Sequence, residues 1–538
     1  MSETEQGNAP PLVNDDDKEL EALGYAPSFK REFSNLATIS FAFSIMGLCS
    51  SVATTFNTPL LTGGPSSVTW CWILGATMCF TLGSSIAEIV SAYPTCGGLY
   101  TASAQLVPKR HRAIVGWVVG WLNILGQVAG LSSTEFGLSG MIWAAVVVAK
   151  DGQYEVTPGK VVGLFAGLLI FHGILNCLGT RYLAKFTTSF VFVNLGTTII
   201  IIIVLLATTS RSDMHTANYV FGTEGVINET GGWPSGLAFL FGLLSVQWTM
   251  TDYDATAHIS EEVKRAAYAG NGSSPSPPAA IFVAVIGTGV LGWIFNIVLV
   301  LCSGPLENLP GASNSAVLEI MVLRMGKAGA LFLWTFVCFT AFFVCQTALQ
   351  ACSRTVYAFS RDHGFPDRGY FGRMNKLTQT PINAIWATTA FSILPGLLDF
   401  ASPVAANAIF SLTAMALDLS YIIPIFFRRV YQHHPEVQFK PGPFYMGDGW
   451  FGLLVNVNCI LWVLFVSVIF SIPTVLPVTK DTMNYASVIT GGVVILSLIW
   501  YFISGRRHYH GPASTVGHEN PPTYVEDDEA LDEKEKKL

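Results

Sequence analysis

Ser245–Glu262 reads SVQWTMTDYDATAHISEE, and its two halves do not suit one continuous helix. The stretch extends an apolar run, Gly236–Leu244 (GLAFLFGLL), long enough to enter a bilayer. Midway it breaks into Thr249, Thr251, Asp252, Tyr253 and Asp254, and it closes on the acidic pair Glu261 and Glu262. Carboxylates at membrane depth cost several kcal/mol, so such residues face a partner or a watery cavity and mark a substrate or ion path. A helix interrupted at that depth predicts a binding site inside the membrane.

The composition agrees with a membrane setting. Hydrophobic residues make up 51 % and charged residues 12 % of the 538, against about 25 % charged in soluble domains. The net charge of −7 says nothing of nucleic acid, because the acids cluster at the ends: Asp15, Asp16, Asp17, Glu19 and Glu21, then Glu526, Asp527, Asp528 and Glu529. Residues 1–33 and 505–538 read as disordered cytoplasmic tails flanking a transporter domain over 34–504. No cleavable signal pattern is read ahead of the first span, which is expected to act as its own targeting signal.

Windows of about 20 apolar residues predict an all-α protein with spans at 37–61, 68–92, 116–147, 161–179, 184–208, 235–257, 278–302, 328–352, 382–399, 403–427, 450–474 and 484–504. Twelve spans put both termini on one side. With the tails inside, 23 of the 29 Lys and Arg fall on the inner side, which predicts cytoplasmic termini. The ten cysteines lie in or beside spans or in an inner loop, with no metal-ligand spacing, so packing roles are expected and neither metal nor cofactor. Asn228-Glu229-Thr230 falls in the longest outer loop, 209–234, and is a glycosylation candidate; the Asn271 sequon falls inside.

A second stretch resembles the first in its physics. Ser44, Ile45, Met46, Gly47, Leu48, Cys49, Ser50 and Ser51 gather a glycine and small hydroxyl residues where a lipid-facing helix would hold Leu and Val. Unwinding near Met46–Cys49 would free N–H groups at the positive end of the second half, a place for a carboxylate. A small-residue packing face is the competing reading. Spans one and six are equivalent positions in two inverted five-helix repeats, which favours a midplane site.

Three further stretches carry a family resemblance. Glu88, Ser91, Pro94, Gly97, Gly98 and Tyr100 are similar to the E-x-x-S-x-x-P-x-x-G-G-x-Y signature of amino acid–polyamine–organocation permeases. Tyr253-Asp254-Ala255 through Glu261-Glu262 resembles that superfamily's sixth-span pattern, and Ser353 through Pro366 resembles the loop after its eighth span. The chain looks closest to the fungal branch with GABA, choline and polyamine permeases. The resemblance implies the leucine-transporter-type fold: two inverted five-helix repeats plus two extra helices, working by alternating access. It places Ser44–Ser51 with Ser245, Trp248, Thr249, Asp252, Tyr253 and Asp254 around the substrate, with Trp248 and Tyr253 as covers. One of Asp252 and Asp254 is expected to face the cavity while the other braces the half-helix, because positions two apart diverge by roughly 200°. Gln127, Ser132 and Ser133 are lesser candidates. Glu135 is either a structural partner or part of a cation or proton route; Asp418 and Glu88 read as structural.

One departure concerns coupling. Proton-coupled members of the superfamily place a Lys in span five, and here that position falls at or beside Asn194. Glu135 or Asp252 could take a proton instead, leaving proton and sodium both open. Outside the spans, Pro521-Pro522-Thr523-Tyr524 is a PPxY element suited to a WW-domain ubiquitin ligase, with Lys534, Lys536, Lys537 and Lys18 as acceptors.

The expectation is a plasma-membrane permease importing an amino acid, a GABA-like zwitterion favoured, with membrane lipids around it. Choline or a polyamine is the alternative, held by Trp248, Tyr253 and an acidic partner; a non-transporting nutrient receptor is remote. An enzyme is not expected: no phosphate loop or nucleophile elbow is present.

Overall fold

The computed structural model describes residues 20–21, 25–26, 28–263, 277–400, 403–480 and 482–512. The outer tail residues, the PPxY element and the Asn271 sequon lie outside the described residues. Among the described residues the fold is helical, with an isolated parallel bridge between Phe33 and Val263 and no strand.

The chain opens with α1 (Asn35–Met46) and α2 (Leu48–Thr55), separated by Gly47, and continues into α3 (Asn57–Ala92). Then come α4 (Arg112–Ala149), α5 (Pro158–Asn176) and α6 (Phe190–Thr208). A second interrupted unit follows as α7 (Ser235–Leu240), α8 (Leu243–Thr249) and α9 (Ala255–His258). The long helices after it are α10 (Pro277–Leu301), α11 (Ala316–Arg361), α12 (Ile382–Gly396), α13 (Pro403–Val430), α14 (Trp450–Ile469) and α15 (Ala486–Ile503). Shorter helices lie earlier in the chain at Gly98–Gln105, Thr180–Thr188 and Ala217–Phe221.

Among the described residues, ten helices are long and apolar enough to cross a membrane. The expected spans at 235–257 and 382–399 rest on shorter helices, because the first is interrupted and the second is 15 residues long. α3 takes in the end of the expected first span and all of the second; it bends at Gly64 (φ 73°), just before Pro65. α11 outruns the expected 328–352 at both ends, bending at Gly326 (φ 74°).

Small residues let α4 run through the bundle. A β-carbon on Gly126 would lie 2.6 Å from Leu417 of α13, and one on Gly120 would lie 2.4 Å from Phe359 of α11. Such close backbone approach is how helices associate where lipid supplies no hydrophobic driving force. Large apolar side chains such as Phe192, Val488 and Leu496 stay exposed on the outer helices, as a lipid-facing surface requires.

Both described chain ends reach the same end of α11. Tyr25 donates to Asp362 at 3.0 Å, and Tyr509 lies 5.8 Å from Phe359, ring to ring. Tyr25, Phe29 and Phe33, from the segment expected to be tail, are buried.

Candidate functional site

The first break is a single residue. Gly47 holds φ 47° and ψ 52°, and a β-carbon there would meet Val344 Cγ2 of α11 at 2.0 Å. Only glycine satisfies both conditions. The opening expected over Met46–Cys49 is thus narrower, because small side chains bridge it: Ser50 donates to the Gly47 carbonyl and Ser51 to that of Met46, each at 2.8 Å. The N–H groups of Leu48, Cys49 and Ser50 start a new helix and have no intrahelical acceptor. Asn194 of α6 steadies the end of α1, donating to the Phe43 carbonyl at 3.1 Å.

The second break is wider, running from Met250 to Asp254 between α8 and α9. Asp252 adopts φ 66°. A left-handed residue other than glycine costs about 1–3 kcal/mol and persists where the surroundings dictate it. Asp252 Oδ1 and Thr251 Oγ1 are buried without a hydrogen-bond partner.

The two breaks open on one cavity of about 20 Å³, lined from α1 and α2 by Ile45 and Ser51 and from the second break by Trp248, Thr251 and Asp252. Gly130 and Thr134 of α4, Val344 and Ala348 of α11, and Thr413 and Leu417 of α13 complete it. A larger cavity of about 400 Å³ reaches Thr55, Gly137, Leu244 and Phe410. On four elements its lining therefore lies about one helical turn from that of the small cavity, away from the chain ends.

The structure distributes the expected site residues between these places. Trp248 lines the small cavity, donates to Ser133 Oγ at 3.0 Å and meets the tilted ring of Phe410 at 5.0 Å. Ser245 bonds Thr55 at 2.7 Å, and the Thr249 hydroxyl turns back to the Ser245 carbonyl. Cys49 faces Thr340, Ser44 meets Thr347, and Leu48 packs toward Gly292. Tyr253 points away from the cavity, toward Gly83 and Tyr421.

Asp252 and Asp254 diverge. Asp252 lines the cavity, whereas Asp254 is buried and accepts from Tyr421 at 2.6 Å and from Asn123 at 2.8 Å. Gln127 sits in that second group with His258. Glu135 pairs with His172 of α5 at 2.6 Å, and its second oxygen is buried without a partner. Asp418 accepts from Gln247, Ser132 donates to the Ser392 carbonyl, and Glu88 accepts the Met446 N–H. Among the polar partners not expected from sequence are His172, His258, Asn123 and Tyr421. The i,i+4 spacing of Asp254 and His258, which puts both on one helix face, could have revealed one of them.

Below the second break the chain-end face is closed by ion pairs. Arg361 pairs with Glu261 at 3.2 Å and Arg354 with Glu262 at 2.6 Å. Burial would raise the Glu261 carboxyl, but the Arg361 guanidinium outweighs it and holds the group below the usual carboxylate range. Arg31 reaches the Ser260 and Val263 carbonyls, and the Phe33 N–H bonds that of Glu262, clamping the N-terminal segment across the end of α9. Burial, and then Asp362, pushes the Tyr25 hydroxyl well above its ordinary value, so it stays a donor. On the opposite face, Asn228 is exposed and donates to the Trp233 carbonyl at 2.8 Å. No group of metal-ligating side chains occurs among the described residues, and all ten cysteines are free.

Membrane-length helices packed around two interrupted ones, with polar groups buried between the breaks, define a multi-pass membrane protein of the transporter class. The chain belongs to the amino acid permease family of the amino acid–polyamine–organocation superfamily, whose model matches residues 33–495. It is 43 % identical to an uncharacterised amino-acid permease of Schizosaccharomyces pombe, over 95 % of this chain and 92 % of that one. It is 38 % identical to amino-acid permease 2 of Neurospora crassa, over 92 % and 89 %. A GABA-specific permease of Saccharomyces cerevisiae is 33 % identical, over 93 % and 86 %. These relatives are named as permeases, transporters rather than enzymes.

Proposed function

We propose that this chain is a plasma-membrane secondary transporter that imports an amino acid, a GABA-like zwitterion, by alternating access through the small cavity. The observation that carries the reading is that Ile45 and Ser51, which flank the Gly47 break, line the same cavity as Thr251 and Asp252 of the second break. The substrate carboxylate meets the free N–H groups of Leu48–Ser50, and the ammonium meets Asp252, whose Oδ1 has no protein partner. A cavity of about 20 Å³ holds no more than a water, so it must widen to admit substrate. The named relatives support the amino acid class, and one is named for GABA.

Choline or a polyamine is the second reading, since Trp248 offers an aromatic face to a cation. Tyr253 points elsewhere, which leaves that cage one wall short and favours the zwitterion. In the proposed topology of twelve spans and two inverted repeats, both termini are cytoplasmic and Asn228 is glycosylated on the outer face. Symport with a proton or sodium ion draws on a buried carboxylate, with Glu135 as one candidate. The PPxY element at Pro521, Pro522 and Tyr524 recruits a WW-domain ubiquitin ligase. Uptake of labelled amino acids, choline and polyamines by cells expressing the chain, with and without a protonophore, tests the whole reading. Uptake of choline with no amino acid uptake would replace it by the alternative.

A further inference from the structure

Asp254 and His258 form a second buried carboxylate–imidazole pair, 3.1 Å apart, between the cavity and the ion pairs of the chain-end face. The surrounding hydrogen bonds fix its polarity. His258 Nδ1 lies 3.0 Å from the Cys96 carbonyl, which can only accept, so Nδ1 carries hydrogen. Asn123 turns its NH2 to the Asp254 carboxylate and so presents its oxygen to the Gln127 NH2, 2.8 Å away. The same Gln127 nitrogen lies 2.7 Å from His258 Nε2, while the Gln127 oxygen accepts from Thr355 at 3.1 Å. In this arrangement Nε2 must accept, and the imidazole is neutral beside a carboxylate.

Nε2 has one lone pair and can serve one partner. It either accepts from Gln127 or shares a proton with Asp254 Oδ2, and the two contacts exclude each other. No other charge balances the pair from the elements packed against it. α4 presents the amides of Asn123 and Gln127, α13 presents Tyr421 and Ser420, and the loop after α3 presents the Cys96 carbonyl and Gly98. On α11, Thr355 is neutral and Arg354 is taken by Glu262. On the pair's own segment, the Asp252 carboxyl meets that of Asp254 and adds negative rather than balancing charge, and Glu261 is taken by Arg361.

We propose that Asp254 and His258 together bind the co-transported proton, an inference that rests on the transport reading above. A proton taken from water on one side of the membrane lodges between Oδ2 and Nε2 and takes the pair from one negative charge to none. It releases Gln127 and so loosens the hold of α4 on α9, leaving the Asn123 bond to Asp254, so that the chain-end face can open and the proton leave to the other side. The proton then moves with the half-helix that carries Asp252, which ties its movement to that of the substrate.

The test is accumulation of a labelled amino acid in cells expressing wild type, His258→Gln, Asp254→Asn or Glu135→Gln, against external pH and with a protonophore. Counterflow down a substrate gradient, which needs no proton, shows that each variant is folded. Each unit of pH gradient supports up to about tenfold accumulation per proton, and this dependence should be present in wild type. It should vanish in His258→Gln while counterflow persists. Wild-type accumulation and pH dependence in His258→Gln, or their loss only in Glu135→Gln, overturns the assignment to this pair. Wild-type uptake indifferent to pH and protonophore overturns proton coupling alone, whereas no wild-type amino acid uptake overturns the transport reading beneath it.

Discussion

The rings of Trp248 and Phe410 meet at 5.0 Å, where the small cavity adjoins the large one. Trp248 belongs to the lining of one and Phe410 to that of the other, so the pair stands between them, a partition on the proposed substrate path. An aromatic pair of this kind contributes about 0.5–1.5 kcal/mol beyond its buried area.

Phe410→Ala should therefore raise the KM for uptake by roughly two- to tenfold, with surface expression intact. Trp248→Phe keeps a ring but loses the bond to Ser133, and should fall between the two. Radiolabelled uptake across a substrate series reads both, and unchanged kinetics in Phe410→Ala would show that the partition has no part in transport.

Gly47→Leu should abolish uptake, and Gly47→Ala should impair it severely. The left-handed backbone alone costs a side chain about 1–2 kcal/mol, and the Val344 methyl 2.0 Å from the new β-carbon adds a clash. A companion Val344→Ala change should partly restore Gly47→Ala, because it removes the clashing methyl. Wild-type uptake by Gly47→Leu would mean that α1 and α2 tolerate one continuous packed helix.

Asp252→Asn should abolish uptake while the protein still reaches the surface, because in the proposed site its unpartnered Oδ1 accepts from the ammonium and asparagine keeps the side chain's shape. Hydrogen bonds to charged groups are worth about 1.5–3 kcal/mol, so Asp252→Asn should bind substrate on the order of ten- to a hundredfold more weakly. Near-normal uptake would remove this carboxylate from recognition.

Much of this site was legible in the sequence, for identifiable reasons. A glycine among small hydroxyls at Ser44–Ser51, and acids in the apolar frame of Ser245–Asp254, break the pattern of a lipid-facing helix whatever the surroundings. Asp252 and Asp254 were expected to diverge on helical geometry, but the segment that holds them is not helical and Asp252 is left-handed. Long-range partners did not follow: Glu135 finds His172 on α5, and Asp254 finds Asn123 and Tyr421, because packing brings distant helices together. The family resemblance made Tyr253 a cover, but Tyr253 follows the left-handed turn at Asp252 and packs toward Gly83 and Tyr421. Tyr25, Phe29 and Phe33 were read as tail because acidic residues precede them, yet their rings are buried.

Arg361→Ala should loosen the chain-end face, since removing one partner of a buried ion pair costs about 3–5 kcal/mol. Arg361 also lies 3.5 Å from the buried Cys96 thiol, which makes that cysteine a built-in reporter. In a background where Cys96 is the sole cysteine, Arg361→Ala should speed its reaction with a maleimide applied from the chain-end side. Equal labelling rates would show that the pair does not hold this face shut.

Recognition of a zwitterion between the two breaks is the central claim, and competition for uptake tests it most directly. Esterifying a transported amino acid removes the charge that the N–H groups of Leu48–Ser50 complement. At about 1.5–3 kcal/mol for each charge-assisted hydrogen bond, the methyl ester should compete on the order of ten- to a hundredfold more weakly than the free amino acid. Equal competition by the amino acid and its ester, together with strong competition by choline, would contradict a carboxylate held at the Gly47 break.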